Sequence, residues 1–257
     1  MARFDKLELN PDDDVPTEWR IPKREPADWL IEAERLKRLG EYDPALQAYS
    51  RALEGDKSLI VGWVGQCQML VELGEYKEAE LWSQKALELF PNNGDLLAAQ
   101  ALAVCRDGDV NQAVMICDGA IKQRGWSQYR WIVRGETMLR AGMDPSRHCF
   151  DKAIQIDAND WLIPLEIARV YLFCRQPGHA LPRARQATDK GNDQPYAWYV
   201  FGLCQYELGM SKPASWSFQR CLELHPNFQD AADYMSSAAK GGGGGSPFKR
   251  LWQRLFG

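Results

Sequence analysis

The sequence has few histidines, no cysteine pair motif and no long apolar run, and each shortage removes a class of function. The three histidines, His148, His179 and His225, stand far apart with no i, i+4 pair, so they do not form a helical metal-ligand pattern. Seven cysteines are scattered without a C-x-x-C pair, which suits reduced thiols in a cytosol rather than a disulfide framework or a zinc site. No stretch of 18 apolar residues occurs, so nothing reads as a membrane-spanning helix. The opening residues, MARFDKLELNPDDDVPTEW, lack an apolar core and bunch Asp12, Asp13 and Asp14, unlike a secretory signal. Residues 1–25 are expected to be irregular.

Motifs of catalysis are missing as well. There is no G-x-x-x-x-G-K, no G-x-S-x-G and no dinucleotide fingerprint. Asp107, Asp109 and Asn111 imitate the start of a calcium loop, but the glycine at its sixth position and the glutamate at its twelfth are lacking. Cys67 and Cys221 fall at small-residue packing positions and read as core thiols. The expectation is a protein without catalysis, cofactor, metal or small-molecule substrate. The formal charge is −4, and setting aside Lys249, Arg250 and Arg254 leaves −7 on the remainder. An acidic body of this kind does not track nucleic-acid phosphates.

What the chain does have is a period of 34 residues. Gly40, Gly74, Gly108 and Gly142 are spaced by it, and Ala52, Ala86 and Ala120 follow the first three glycines by twelve residues. Trp29, Trp63 and Trp198 share a phase, with Trp131 between them. Four residues after Trp29, Trp63, Leu97, Trp131, Pro164 and Trp198 come small residues: Ala33, Cys67, Ala101, Gly135, Ala168 and Gly202. Two antiparallel helices joined by a short turn explain this spacing. Small residues let backbones approach, and a glycine ends the first helix in a left-handed conformation. One such unit cannot cover its apolar face, so neighbours must stack.

At these positions the chain resembles the tetratricopeptide repeat (TPR) proteins. The last copy, with Trp198, Phe201, Gly202, Gly209, Ala214, Phe218 and Pro226, carries the likeness most fully. Six copies are expected, at 26–59, 60–93, 94–127, 128–160, 161–194 and 195–228, followed by a capping helix over 229–240. The fourth is one residue short in its turn, and the fifth has Pro164 for the tryptophan and Arg175 for the glycine. The resemblance implies an all-α fold, a right-handed superhelical solenoid of antiparallel helix pairs. It also implies a protein or peptide client held in the concave groove. The family's groove positions map onto Leu30, Glu34 and Lys37 in the first repeat and Val61, Val64 and Gln68 in the second. The later ones map onto Tyr129, Ile132 and Leu139, onto Leu162, Leu165, Arg169 and Leu172, and onto Tyr196, Tyr199, Leu203 and Tyr206. The C-terminal half of the groove therefore reads as aromatic and aliphatic. The basic clamp for a terminal carboxylate known in the family is not matched, since Leu30, Glu34, Gly65, Asp95 and Ala99 stand at its positions.

The chain closes with GGGGGSPFKRLWQRLFG. Residues 241–246 read as a flexible tether. Ser246 suits a helix N-cap and Pro247 a first helical position. Phe248, Leu251, Trp252, Leu255 and Phe256 then share one face, with Lys249, Arg250, Gln253 and Arg254 on the other. A basic amphipathic helix on a tether suits an anionic membrane surface. The stretch KRLWQRLFG resembles the C-terminal membrane-targeting helix of the Min-system cell-division ATPases. The resulting expectation is a cytoplasmic adaptor, peripheral at the inner face of a membrane, that holds a client. The alternative is a soluble scaffold whose last helix docks in a partner protein or in its own groove.

Overall fold

The computed structural model describes residues 24–143 and 146–239. The N-terminal segment before residue 24, the glycine-rich linker and the amphipathic stretch 247–257 lie outside the described residues. Among those described there are thirteen α-helices and no strand. They run α1 Pro26–Arg38, α2 Tyr42–Gly55, α3 Ile60–Glu72, α4 Tyr76–Leu89, α5 Gly94–Asp107, α6 Val110–Lys122 and α7 Gln128–Arg140. They continue α8 Ser146–Ile156, α9 Leu162–Phe173, α10 Pro177–Lys190, α11 Pro195–Glu207, α12 Ser211–Leu224 and α13 Gln229–Ala239. None is long and apolar enough to cross a membrane.

Local chemistry sets the helix ends. The Asn93 side chain accepts from the amides of Asp95 and Leu96 at the start of α5, and Asp109 and Ser127 cap α6 and α7 in the same way. Asp109, from the calcium-loop look-alike, is thus committed to a cap. Prolines open α1, α10 and α11, where the missing N–H is harmless. Gly40, Gly74, Gly108, Gly142 and Gly209 all adopt positive φ at the turn inside a helix pair. In the fifth pair that turn falls to Arg175, at φ 56°.

Each helix packs on the next in sequence, and the odd-numbered helices also pack on one another, from α1·α3 through to α11·α9. The odd helices therefore form the inner wall of a curved array, and the even helices the outer wall. Where the walls meet, the packing residues are small. Ala45, Ala79, Ala113, Ala180 and Ala214 are sealed from solvent, as are Ala52, Ala86, Ala120, Ala153 and Ala187. Larger side chains such as Tyr49, Phe150, Leu165, Ile167 and Phe218 fill the space beside them. The last helix, α13, covers α12 and brings Tyr234 against Phe218, with ring centroids 5.4 Å apart.

A non-glycine residue in the left-handed region carries strain of about 1–2 kcal/mol. Arg175 also lends its charge to the neighbouring Glu207 carboxyl, and a glycine forgoes that interaction. The net effect of Arg175→Gly is expected to be a gain of about 0.5–1 kcal/mol, raising Tm by about 2 °C in a circular-dichroism melt. A lower Tm would show that the side chain's contacts outweigh the backbone strain.

Candidate functional site

Charge dominates the inner wall. The guanidinium of Arg106 on α5 makes a two-pronged contact with Glu136 on α7, Nε to Oε1 at 2.8 Å and Nη2 to Oε2 at 3.1 Å. Its third nitrogen, Nη1, lies 3.5 Å from Glu72 on α3. The other oxygen of Glu72 accepts from Arg169 on α9, which also reaches Glu166 at 3.4 Å. One carboxylate thus serves two arginines. Burial disfavours charge on Glu72, but Arg169 and Arg106 outweigh it and hold its carboxyl below the usual carboxylate range. Glu166 goes the other way, since burial pushes its carboxyl up and Arg169 only partly offsets it.

These contacts join the two ends of the array. Glu72 and Arg169 are 97 residues apart. The hydroxyl of Tyr42 on α2 meets that of Tyr196 on α11 at 2.6 Å, across 154 residues. Arg38 at the end of α1 pairs with Asp160 ahead of α9 at 3.5 Å. The Arg169 guanidinium sits 5.1 Å from the Tyr42 ring centroid and 6.0 Å from that of Tyr196. Gly40 also leaves room for this contact, since a Cβ there would lie 2.5 Å from the Tyr196 ring. First and last repeats meet across the concave side, and the meeting line is a seam.

Inside the seam the inner helices line a cavity of about 220 Å³ that is partly open to solvent. Its wall takes Glu34 and Lys37 from α1, Gln68 and Glu72 from α3, Arg106 from α5, Tyr129, Ile132 and Glu136 from α7, and Leu162, Glu166 and Arg169 from α9. Lys37 donates to Gln68 at 2.8 Å and Tyr49 donates to Glu34 at 2.5 Å. The Tyr129 hydroxyl is buried without a hydrogen-bond partner among the described residues. A second opening, about 420 Å³, lies at the rim where α5, α7 and α9 end, lined by Arg106, Leu139, Arg140, Phe173 and Arg175.

The residues read from the sequence as groove positions divide accordingly. Tyr129, Ile132, Leu162 and Arg169 line the cavity, and Leu139 lines the rim opening. Leu165 is sealed in the core, Leu172 is packed against it, and Leu203 is buried. Tyr196 and Tyr199 are 5% and 2% exposed, which leaves no surface for a partner. Tyr42 covers Tyr196, while Phe228 and Tyr234 stack about Tyr199, and Tyr206 packs on Tyr234. The apolar half-groove expected from the sequence is thus filled by the chain's own first repeat and capping helix. In the N-terminal half, Glu34, Lys37 and Gln68 reach the cavity, whereas Val61 is exposed and Leu30 and Val64 pack on neighbouring cores. The stretch 248–256 lies outside the described residues.

Reactive groups are held inert. Cys67 and Cys221 are fully buried, and burial pushes each thiol up to about 12. Among the described residues no cluster of histidine, cysteine and carboxylate is arranged to hold a metal ion.

The two carboxylates predict opposite pH effects. Glu72, with a lowered folded pKa, contributes stability above its unfolded value of about 4.3, and that stability is lost as pH falls through the folded value. Glu166, raised in the fold, costs stability while ionised and returns it as pH falls through its folded pKa. Wild type should therefore gain stability relative to Glu166→Gln as pH falls from neutral toward the unfolded carboxylate value of about 4.3. Glu72→Gln should lose about 3 kcal/mol at pH 7, because two arginines keep too little counter-charge. Denaturant melts at several pH values test both, and coincident wild-type and Glu72→Gln curves would contradict the pairing.

A family model described as Tetratricopeptide repeat matches residues 68–93. No curated protein matches. Among solved structures, a tetratricopeptide repeat protein from Parabacteroides merdae is 17% identical with a TM-score of 0.54, covering 83% of this chain and 84% of that one. A thermophilic TPR protein of Thermus thermophilus is 16% identical, TM-score 0.51, with 84% and 99% covered. A chain of the APC/C hetero-tetramer Cut9-Hcn1 is 14% identical, TM-score 0.51, with 83% of this chain and 43% of that one covered. Helix pairs of this length, stacked with small residues between the walls and matching these structures over most of the chain, give the described residues the fold of a tetratricopeptide-repeat solenoid.

Proposed function

We propose that the chain is a non-catalytic adaptor that binds an extended segment of another protein in its concave cavity. The observation that carries this reading is the cavity wall itself. Five inner helices turn polar side chains into one partly open space, and the Tyr129 hydroxyl there lacks a partner among the described residues. A wall of this kind offers hydrogen bonds to a peptide backbone. A volume of about 220 Å³ is smaller than the ~300–1,000 Å³ that encloses a drug-sized ligand, so it takes one or two side chains of a bound loop or terminus. Similarity to a chain of a hetero-tetramer is in keeping with protein binding.

The amphipathic stretch supplies a second attachment. Its apolar face of Phe248, Leu251, Trp252, Leu255 and Phe256, opposite Lys249, Arg250 and Arg254, suits an anionic membrane surface. Ordering so short a helix costs most of what its apolar side chains gain, so one copy attaches weakly and reversibly.

Two measurements test the two halves. Arrayed ten-residue peptides screened against the full chain should yield ligands whose affinity falls about tenfold, ~1.4 kcal/mol, in Lys37→Ala with Gln68→Ala. Trp126→Ala, at an exposed loop, should leave those affinities unchanged. Ligands indifferent to the first pair and lost with the second would place the client on the outer surface. Sedimentation with anionic liposomes should be abolished by Leu251→Glu together with Trp252→Glu and weakened by salt. A wild-type chain that ignores such vesicles would remove the membrane from the account.

A further inference from the structure

A third opening sits on the outside of the seam. It measures about 330 Å³ and is walled by the α1–α2 turn on one side and the α12–α13 turn on the other. Its apolar wall is Leu39, Tyr42, Leu73 and Phe228. Around this wall stand Glu41, Asp43 and Asp230, and among the described residues no lysine or arginine lines the opening. Asp43 and Pro44 on one lip and Asn227 and Gln229 on the other are solvent-exposed. At its edge the His225 Nδ1 is buried without a hydrogen-bond partner among the described residues. The site is therefore a small apolar pit in an acidic collar, built half from each end of the array.

We propose that this pit is the docking site of the chain's own residues 247–257, with Trp252 or a neighbouring aromatic as the anchor. Charge complementarity is the first argument: the stretch carries Lys249, Arg250 and Arg254 and no acidic side chain, and the collar is acidic. Size is the second, since 330 Å³ takes one or two bulky side chains and leaves the basic residues of the stretch at the collar. Reach is the third. Helix α13 begins at the pit with Gln229 and Asp230 and runs 11 residues, about 16 Å, away from it. The seven residues 241–247 that follow can reach at most about 25 Å when extended, enough to return. Docked there, the stretch bridges the first and last repeats and fastens the seam. This docking requires neither lipid nor a bound client.

Tethering sets the occupancy. With an effective concentration of about 1 mM, a contact whose dissociation constant between separate molecules is ~0.1 mM is about 90% formed. Weakening it tenfold leaves about half formed. The test is fluorine NMR of the lipid-free full chain labelled with fluorotryptophan, the Trp252 signal assigned by its loss in Trp252→Phe. Exposure is read from relaxation by a water-soluble gadolinium chelate. In wild type the Trp252 signal should be shielded from the chelate. In Glu41→Gln with Asp43→Asn, two changes at the outer collar, its relaxation should rise about fivefold, as the free fraction goes from about a tenth to about a half. The remaining nine tryptophans report whether the fold is unchanged in the variant. A fully exposed Trp252 in wild type overturns the proposal, and so does shielding that the variant leaves intact. Shielding that grows with protein concentration assigns the stretch to a second copy, and shielding seen only with anionic vesicles assigns it to a membrane. Either of those results overturns it too.

Discussion

The carboxylate of Glu72, held between Arg106 and Arg169, is the interaction on which the closed form of this array depends. Repeat arrays ordinarily hold together through neighbours alone, and their stability is close to a sum of units and interfaces. Here a buried acid on the second repeat meets a base on the fifth. Taking such charges out of water costs several kcal/mol per ion, and only close, well-bonded partners offset it. The partners are in place: Arg106 is shared with Glu136, and Arg169 also rests over two tyrosine rings. Removing one member would strand the others, so the network ties the two ends into one cooperative body.

That closure decides what the concave side can bind. An open superhelix offers a long groove, and an aromatic one here would have suited an apolar helix. Instead Tyr42 lies across Tyr196, and α13 stacks Tyr234 beside Tyr199. The aromatic side chains are consumed in holding the last repeat to its cap and to the first repeat. What remains open is the charged and polar middle of the inner wall, where Glu34, Lys37, Gln68, Tyr129 and Glu166 face one small space.

The fold was legible in the sequence because its signals are local and repeated. A glycine every 34 residues marks a turn that needs a left-handed residue, and the alanines in phase with it mark helices in close approach. Even the departure was readable, since Arg175 falls where the spacing demands positive φ and adopts it. The seam was not legible, because curvature sums small rotations over six pairs and no short stretch encodes it. A trace of it was nevertheless present. Glu34, Gln68, Leu102, Glu136, Arg169 and Leu203 occupy equivalent places, and Arg38, Glu72, Arg106, Arg140, Phe173 and Glu207 occupy those one helical turn later. Charges of both signs in these two in-phase columns mark an inner wall that pairs with itself, whereas reading each groove position for its own hydrophobicity hides the pairing.

The central claim is that the two ends are energetically coupled across the concave side. A double-mutant cycle on Glu72→Met and Arg169→Met in the full chain, read by denaturant unfolding, tests it most directly. The closed array predicts a coupling energy of about 1–3 kcal/mol between residues 97 apart in sequence. A coupling within ~0.3 kcal/mol of zero, with both single variants folded, would show that the ends do not meet in solution.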